Sequence, residues 1–502
     1  ADHECGAKSL MCFEHMQAEG LYPNAITYVC VLKACSSIRA IEMGQKIHAE
    51  IEKNGLLQTN LFIGNSLVDM YAKCRLLSKA RDVYEKLRVR DVISYNTLIA
   101  GYTEHGHGEE ALELYTKMQL ENISPNVVTY ICTLKSCTMI GAEEKGQEMH
   151  VELARQGLLA KNLVIGNALV DMYAKCGLLA KAQETFNNLV LWDVVSCNAL
   201  INGYVEFGCA DKALEYFHLL QKEGILPDAV TYICTLKACS IIKNMGQGQE
   251  IHAEIVNRGL FESDVVLGNA LLDMYAKCGF LHDAKRIFDL LLIRDEIAWN
   301  VLMEGYVDHG HSEEVLSCFK AMKLHGVLPS PVTFVSVLKA CGELKDTDKG
   351  DEIHADIIRH GLLQTDSFLG SALIDMHIKQ GLPARAQEVF DKLVVRDTVM
   401  WNIIIAGYVE HGQSKDALVC FEQMQLETIP PDSVTLVLSL KACGSIGAKE
   451  NGRLIHFEIT KKGLTERGNV GNAMIDMYAK CGLLMESEKV IQDLQIKDVV
   501  SW

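Results

Sequence analysis

Between residues 167 and 193 the chain reads NALVDMYAKCGLLAKAQETFNNLVLWD. Ala168, Leu169, Met172, Tyr173 and Cys176 fall on one stripe of a 3.6-residue helix, while Asn167, Asp171 and Lys175 fall on the other side. Gly177 is placed to stop that helix, and a second amphipathic run follows through Phe186. Two helical stretches joined by a short turn cannot bury such a stripe alone. Stacked against copies of themselves they make a continuous core.

Copies are present. Asn96, Asn198, Asn300 and Asn402 recur at a spacing of 102 residues, as do Pro23, Pro125, Pro227, Pro329 and Pro431. Each 102-residue period holds three related segments of 35, 36 and 31 residues, here intermediate, long and short. The long segments are 25–60, 127–162, 229–264, 331–366 and 433–467, the last one residue shorter. The short ones are 61–91, 163–193, 265–295, 367–397 and 468–498; the intermediate ones are 92–126, 194–228, 296–330 and 398–432, with a partial copy at 1–24 and the start of another at 499–502. The pattern predicts an all-α fold, a superhelical α-solenoid with first helices inside and second helices outside. Chemistry repeated along a linear partner belongs on the inside.

Composition narrows the function. With 49% hydrophobic residues over 502, the chain has ample surface to bury, and its apolar stretches are too short to span a bilayer. No stretch near ADHECGAKSL reads as a targeting peptide, so a targeting segment is expected outside this sequence. The net charge of −17 argues against phosphate binding over the whole surface but leaves room for a basic strip on one face. Most of the eighteen cysteines recur in register, among them Cys30, Cys132 and Cys234, Cys35, Cys137, Cys239, Cys341 and Cys443, and Cys74, Cys176, Cys278 and Cys481. That reads as small buried core residues in a reducing compartment.

One motif suggests catalysis. GQEIHAEI, residues 248 to 255, carries the His-x-Glu half of the zinc deaminase signature, whose other half is Pro-Cys-x-x-Cys. No Cys-x-x-Cys occurs in the chain, and the motif returns at His48, His150, His354 and His456. Residues two apart in mid-helix do not face each other, so packing or helix-surface hydrogen bonding explains the histidine better. No enzyme activity, metal or cofactor is expected of this chain.

The alternation of segment lengths, with YNTLIAGYTEHG, VTYICTLKACS and GNALVDMYAKCG as first helices, resembles the plant pentatricopeptide repeat proteins of the PLS subclass, over essentially the whole chain. The resemblance implies intermediate (P), long (L) and short (S) units binding single-stranded RNA, about one base per unit. In that family the fifth and last residues of a unit form the code. A side-chain amide both donates to and accepts from a base edge, and the last residue adjusts the preference. Carried over, Asn65 with Asp91, Asn167 with Asp193, Asn198 with Asp228, Asn269 with Asp295, Asn402 with Asp432 and Asn472 with Asp498 imply U. Asn96 with Asn126 implies a pyrimidine, Asn300 with Ser330 C, and Ser371 with Asp397 G. Val29, Ile131, Ile233, Val335 and Val437, fifth in the long units, cannot hydrogen-bond a base and are expected to space. The implied target is 5′-UYnUUnUCnGUnU-3′.

Two further sets match the family's contact positions. The second residues Phe62, Ile93, Val164, Val195, Val266, Ile297, Phe368 and Val399 would wedge between bases, ordinary packing being the alternative; Asn469 departs from this pattern. The lysines Lys73, Lys175, Lys277, Lys379 and Lys480 would contact phosphates, a solvated helix face being the alternative. For the code asparagines the alternative is helix capping. The resemblance further implies a chloroplast or mitochondrial setting and a role as recognition module in C-to-U RNA editing. The family's E and DYW extensions are not recognised in these residues, so a DYW-type deaminase would act from a segment outside this sequence or in trans. Small editing-factor proteins docking on the long units are a further implied partner. Transcript processing without editing, a ribonucleoprotein role, and a protein-binding scaffold are the competing readings.

Overall fold

The computed structural model describes residues 2–261, 264–364, 366–464 and 468–493. Among them it contains 31 α-helices, one short 3₁₀ turn and no strand. The chain forms two compact bodies, Ala1–Ile242 and Lys243–Trp502.

In the first body the helices Ala25–Ile38, Leu61–Lys73, Val92–Glu104, Val127–Ile140, Leu163–Lys175, Val194–Glu206 and Ala229–Ile242 each pack on the next, making one layer. Second helices such as Leu179–Asn187 and Ala210–Lys222 pack on their own first helix and on the first helix that follows, making the other layer. The second body repeats this from Val265–Lys277 through Glu296–Asp308, Pro331–Leu344, Ser367–Lys379, Thr398–Glu410 and Ser433–Ile446 to Gly468–Lys480. The α-solenoid architecture expected from the periodicity is present in each body.

The segment 163–193 shows why the residues do this. Leu169, Met172 and Tyr173 are fully buried or nearly so, each worth roughly 1.5–3 kcal/mol of hydrophobic stabilisation. Gly177 closes the first helix at φ 79°, a conformation that costs glycine nothing. The N–H of Leu178 then donates to Tyr173 O (2.9 Å) and that of Gly177 to Ala174 O (3.1 Å), which satisfies the last carbonyls. Neighbouring first helices cross so closely that a β-carbon at Gly203 would stand 2.5 Å from that of Ala174; the approach recurs between Gly101 and Ala72 and between Gly305 and Ala276.

The structure corrects two expectations. A long segment is more than two helices and a turn, because its additional residues form the four-residue helices Leu56–Thr59 and Leu158–Lys161, entered through Gly55 and Gly157 in the left-handed conformation. The in-register cysteines are also not uniformly core. Cys35, Cys137, Cys239, Cys341 and Cys443 are buried, but Cys132, Cys176 and Cys278 are half-buried and Cys30 is exposed: Cys30 and Cys132, sixth in long segments, lie at the edge of the buried stripe, and Cys176 and Cys278 cap the ends of their first helices.

The recurring histidine is a packing device. His48, His150, His252 and His456 place Nδ1 2.8, 2.9, 2.9 and 2.7 Å from the hydroxyls of Tyr71, Tyr173, Tyr275 and Tyr478, tying the second helix of a long segment to the next first helix. At His354 the partner is His377, 3.3 Å away. The described residues hold no group of three or more His, Cys, Asp or Glu side chains able to bind a metal ion.

Candidate nucleic-acid interface

The first-helix layer brings the fifth and last residues together across 26 to 30 residues of chain. Asn167 Nδ2 donates to Asp193 Oδ1 (3.0 Å), Asn198 to Asp228 (2.9 Å), Asn96 to Asn126 (2.9 Å), and Asn269 to Asp295 and Asn402 to Asp432 (3.2 Å each). Asn65 to Asp91 (3.5 Å) and Asn300 to Ser330 Oγ (3.4 Å) are longer. Capping is done by the last residues: Asp91, Asn126, Asp193, Asp295, Ser330, Asp397 and Asp432 are the N-caps, and the asparagines sit a turn inside their helices. The capping alternative for the asparagines is therefore set aside.

A third group completes the arrangement, and the sequence reading did not find it. The hydroxyl of the third residue in the next segment donates to the asparagine Oδ1: Ser196 to Asn167 (2.5 Å), Thr231 to Asn198 (2.7 Å), and Thr129, Thr333 and Thr435 to Asn96, Asn300 and Asn402 (2.6 Å each). The amide is thus held at both ends, which settles which way its oxygen and nitrogen point. At Asn65 and Asn269 the Oδ1 is buried without a hydrogen-bond partner. Ser94 is turned toward Asp91 (3.0 Å), and Ala298 has no hydroxyl to give. The signal was available as the Thr or Ser three residues beyond the last residue, at Ser94, Thr129, Ser196, Thr231, Thr333 and Thr435.

Electrostatics follow from the same contacts. At Asp193 desolvation opposes ionisation, but hydrogen bonds from the Ser196 backbone and hydroxyl and from the Asn167 amide outweigh it and hold the carboxyl below its ordinary range. Asp432 is held low in the same way by Thr435 and Asn402. Each is an anion that fixes its asparagine by a charge-assisted bond.

Ser371 and Asp397 are not joined. Ser371 Oγ donates to Ser367 O (3.1 Å), and Asp397 caps Met400 N (2.8 Å). A serine reaches one bond less far than an asparagine, and Met400 offers no hydroxyl. Asn472 lies half-buried on the described helix Gly468–Lys480, whereas Asp498 lies outside the described residues.

The second residues stand in solvent. Phe62 is 72% exposed, Phe368 80% and Ile93 50%, and Val164, Val195, Val266, Ile297 and Val399 are exposed as well. Packing within the chain does not account for them. Ile26, Val128, Val230, Val332 and Val434, the equivalent residues of the long segments, are exposed too and extend the row. In the first body Val164, Val195, Asn167, Asn198, Asp228 and Lys175 share the wall of an open groove of about 610 Å³.

The lysines assigned to phosphates are already engaged. Lys73, Lys175, Lys379 and Lys480 pair with Asp69, Asp171, Asp375 and Asp476 at 2.9, 2.9, 2.9 and 2.7 Å, and Lys277 with Asp273 at 2.8 Å. Each is an i,i+4 pair on an exposed helix face.

Against this geometry, two descriptions of the same repeat match the chain: a PPR repeat family model at residues 90–139, 192–240, 294–343 and 396–445, and a PPR repeat model at 65–92, 167–193, 269–295 and 472–499. The chain belongs to the pentatricopeptide repeat family. Arabidopsis thaliana relatives include a pentatricopeptide repeat-containing protein 32% identical over the whole of this chain and a mitochondrial one 34% identical over 99% of it. A chloroplastic one is 33% identical over 98%. This chain spans only 59%, 48% and 61% of those relatives. The crystal structure of the maize pentatricopeptide repeat protein PPR10 shares the fold, with a TM-score of 0.65 and 19% identity over 97% of this chain and 76% of that one. PPR10 in complex with an 18-nt psaJ RNA element matches at 0.62 and 21%, over 97% and 77%. No helix among the described residues is long and apolar enough to cross a membrane.

Proposed function

We propose that this pentatricopeptide repeat chain binds single-stranded RNA in register, reading one base at each short and intermediate segment, with the target 5′-UYnUUnUCnGUnU-3′. The observation that carries the reading is the bridged asparagine. In bridges such as Asn167–Asp193 and Asn198–Asp228 one amide proton is spent on the last residue, which leaves the second N–H and an oxygen lone pair for a Watson–Crick edge. The exposed second residues on the same face supply surfaces between which bases stack, a sequence-tolerant contribution of about 1–3 kcal/mol per base. The RNA bound by PPR10 supports the same class of ligand. Relatives named mitochondrial and chloroplastic support an organellar setting. The resemblance to the PLS subclass extends the reading to site recognition in C-to-U editing, with the deaminase supplied by a further segment or in trans and small editing-factor proteins as partners on the long segments.

The test is fluorescence anisotropy with the target strand and with strands carrying purines in place of U opposite Asn167, Asn198 and Asn269. Each mismatch is expected to cost about 1–3 kcal/mol. Ser371→Asn, with Asp397 kept, is expected to move the preference at that single position from G to U. Equal affinity for matched and mismatched strands refutes the code, and no affinity for either returns the chain to the scaffold reading.

A further inference from the structure

The charges of the first-helix layer divide by segment type in a way the base code does not explain. The second, fifth and ninth residues of a first helix lie within about 60° of one another, so all three face the same way. In the short segments that stripe reads, for example, Val164, Asn167 and Asp171, and the aspartate is neutralised by Lys175 one turn on. In the intermediate segments the ninth residue is Ala100, Asn202, Glu304 or Ala406. In the long segments it is always lysine: Lys33, Lys135, Lys237, Lys339 and Lys441.

These five lysines are exposed, and none forms an ion pair or donates a side-chain hydrogen bond among the described residues. Their own helices set them behind the exposed Ile26, Val128, Val230, Val332 and Val434 and the half-buried Val29, Ile131, Ile233, Val335 and Val437. Acids in their surroundings are Glu104, which acts with Lys135 on Cys132, Asp228 and Glu206, which act with Lys237 on Cys234, and Glu343, one turn after Lys339. None pairs with its lysine: Asp228 accepts from Asn198 (2.9 Å), Glu206 from Asn202 (2.9 Å) and Glu343 from Ser312 (2.5 Å). The contrast with the short segments is sharp. Lys277 has Asp273 at 2.8 Å, with Glu304 and Asp308 adding to its negative surroundings. A phosphate approaching that lysine competes with three carboxylates, whereas one approaching Lys237 or Lys339 meets an uncommitted ammonium.

We propose that Lys33, Lys135, Lys237, Lys339 and Lys441 are the phosphate-binding residues of the first-helix layer, holding the backbone of single-stranded RNA at the segments whose aliphatic fifth residues read no base. The proposal rests on the RNA-binding reading. It divides the labour of each 102-residue period: two segments read, and the third clamps the strand. It also reconciles the proposed RNA binding with a net charge of −17, because these five cations recur without an ion-pair partner on one stripe of the first-helix layer.

The experiment compares two triple variants of the full chain, Lys135→Gln/Lys237→Gln/Lys339→Gln and Lys175→Gln/Lys277→Gln/Lys379→Gln. Affinity for the target RNA is measured from about 50 to 300 mM salt, where each single-strand phosphate contact contributes about 0.7 to the slope of log K against log salt. The first variant is expected to lower that slope by about 2 and to leave base preference unchanged. The second is expected to lower it by less than half as much, and Lys→Arg at the first three positions to restore the wild-type slope. All substituted residues are exposed, and a thermal melt checks that the fold is kept. An unchanged slope in the first variant, or an equal loss in both, overturns the proposal while the RNA-binding reading stands. Absence of binding by the unsubstituted chain overturns that reading and this assignment with it.

Discussion

Ala298 occupies the position at which six other bridges have a hydroxyl, five of them donating to the asparagine, and replacing it by serine tests what that hydroxyl does. In Ala298→Ser the new Oγ takes the place held by Ser196 beside Asn167, where donation to Oδ1 spans 2.5 Å and the N-cap Asp193 N–H donates to Oγ at 3.1 Å. Two groups change state. Asn269 Oδ1, buried and without a partner, gains a donor. The N-cap at Asp295, which accepts from the 298 backbone N–H and from Asn269, gains the reciprocal half of a capping box. A buried unsatisfied acceptor costs about 1–3 kcal/mol and a net hydrogen bond contributes about 1, against which stands the small cost of fitting one oxygen at a fully buried site. The expected gain is about 1–2 kcal/mol, read as a higher urea midpoint. Thr231→Val runs the reaction backwards at Asn198 and is expected to lose about 1–3 kcal/mol. Binding adds a second readout: with its amide fixed at both ends, Asn269 is expected to prefer U over C more strongly. A neutral or destabilising Ala298→Ser alongside a costly Thr231→Val would show that the hydroxyl serves the cap alone and that the amide needs no orienting.

Other consequences of the contacts can be read in stability. Gly203→Ala would place a β-carbon 2.5 Å from that of Ala174, so the first helices of two segments must part; a loss of about 1–3 kcal/mol in the thermal melt is expected, and partial relief from Gly203→Ala combined with Ala174→Gly. His377 is fully buried, and desolvation together with the adjacent His354 pushes its pKa down to about 4. Its folded value lies below the roughly 6.5 of a free imidazole, so its contribution is present above pH 6.5 and is lost as pH falls toward 4. His377→Tyr, which restores the pairing seen at Tyr71, Tyr173, Tyr275 and Tyr478, is expected to flatten the stability profile across that window; an unchanged profile rejects the assignment. At more acid pH the depressed carboxyls of Asp193 and Asp432 come into play: their stabilisation is present above the ordinary carboxylate range and is lost as pH falls through their folded values. Asp193→Asn is expected to remove part of that acid transition in a urea-midpoint series.

What could be read from the sequence follows from how local each interaction is. A stripe of Ala168, Leu169, Met172 and Tyr173 is periodic along a single helix, and a 102-residue recurrence multiplies the signal, so the helices and their stacking were legible. The extra turn at Leu56–Thr59 was not, because four residues carry no period and only Gly55 marks its entry. The bridged pairs were named through the family resemblance, since Asn167 and Asp193 are 26 residues apart and nothing local announces that they meet. The third partner escaped because Thr231 and Ser196 read as ordinary capping-box residues, which they also are.

The lysines show the limit most plainly. A cation eight residues after a base-reading asparagine, such as Lys175, lies near its face, and spacing alone carries no account of what already neutralises it. Asp171 stands one helical turn before Lys175, and that i,i+4 order is visible in the sequence of every short segment as DMYAK or its variant. Had charge been balanced turn by turn along each stripe, the long segments would have stood out, for theirs is the only ninth residue that is always positive, and at four of the five no acid lies four residues to either side: Val29 and Ser37 flank Lys33, Ile233 and Ile241 flank Lys237, while Glu343, one turn after Lys339, accepts from Ser312. A phosphate reads net charge, so the residues to seek in such an array are the cations the protein has left unmatched.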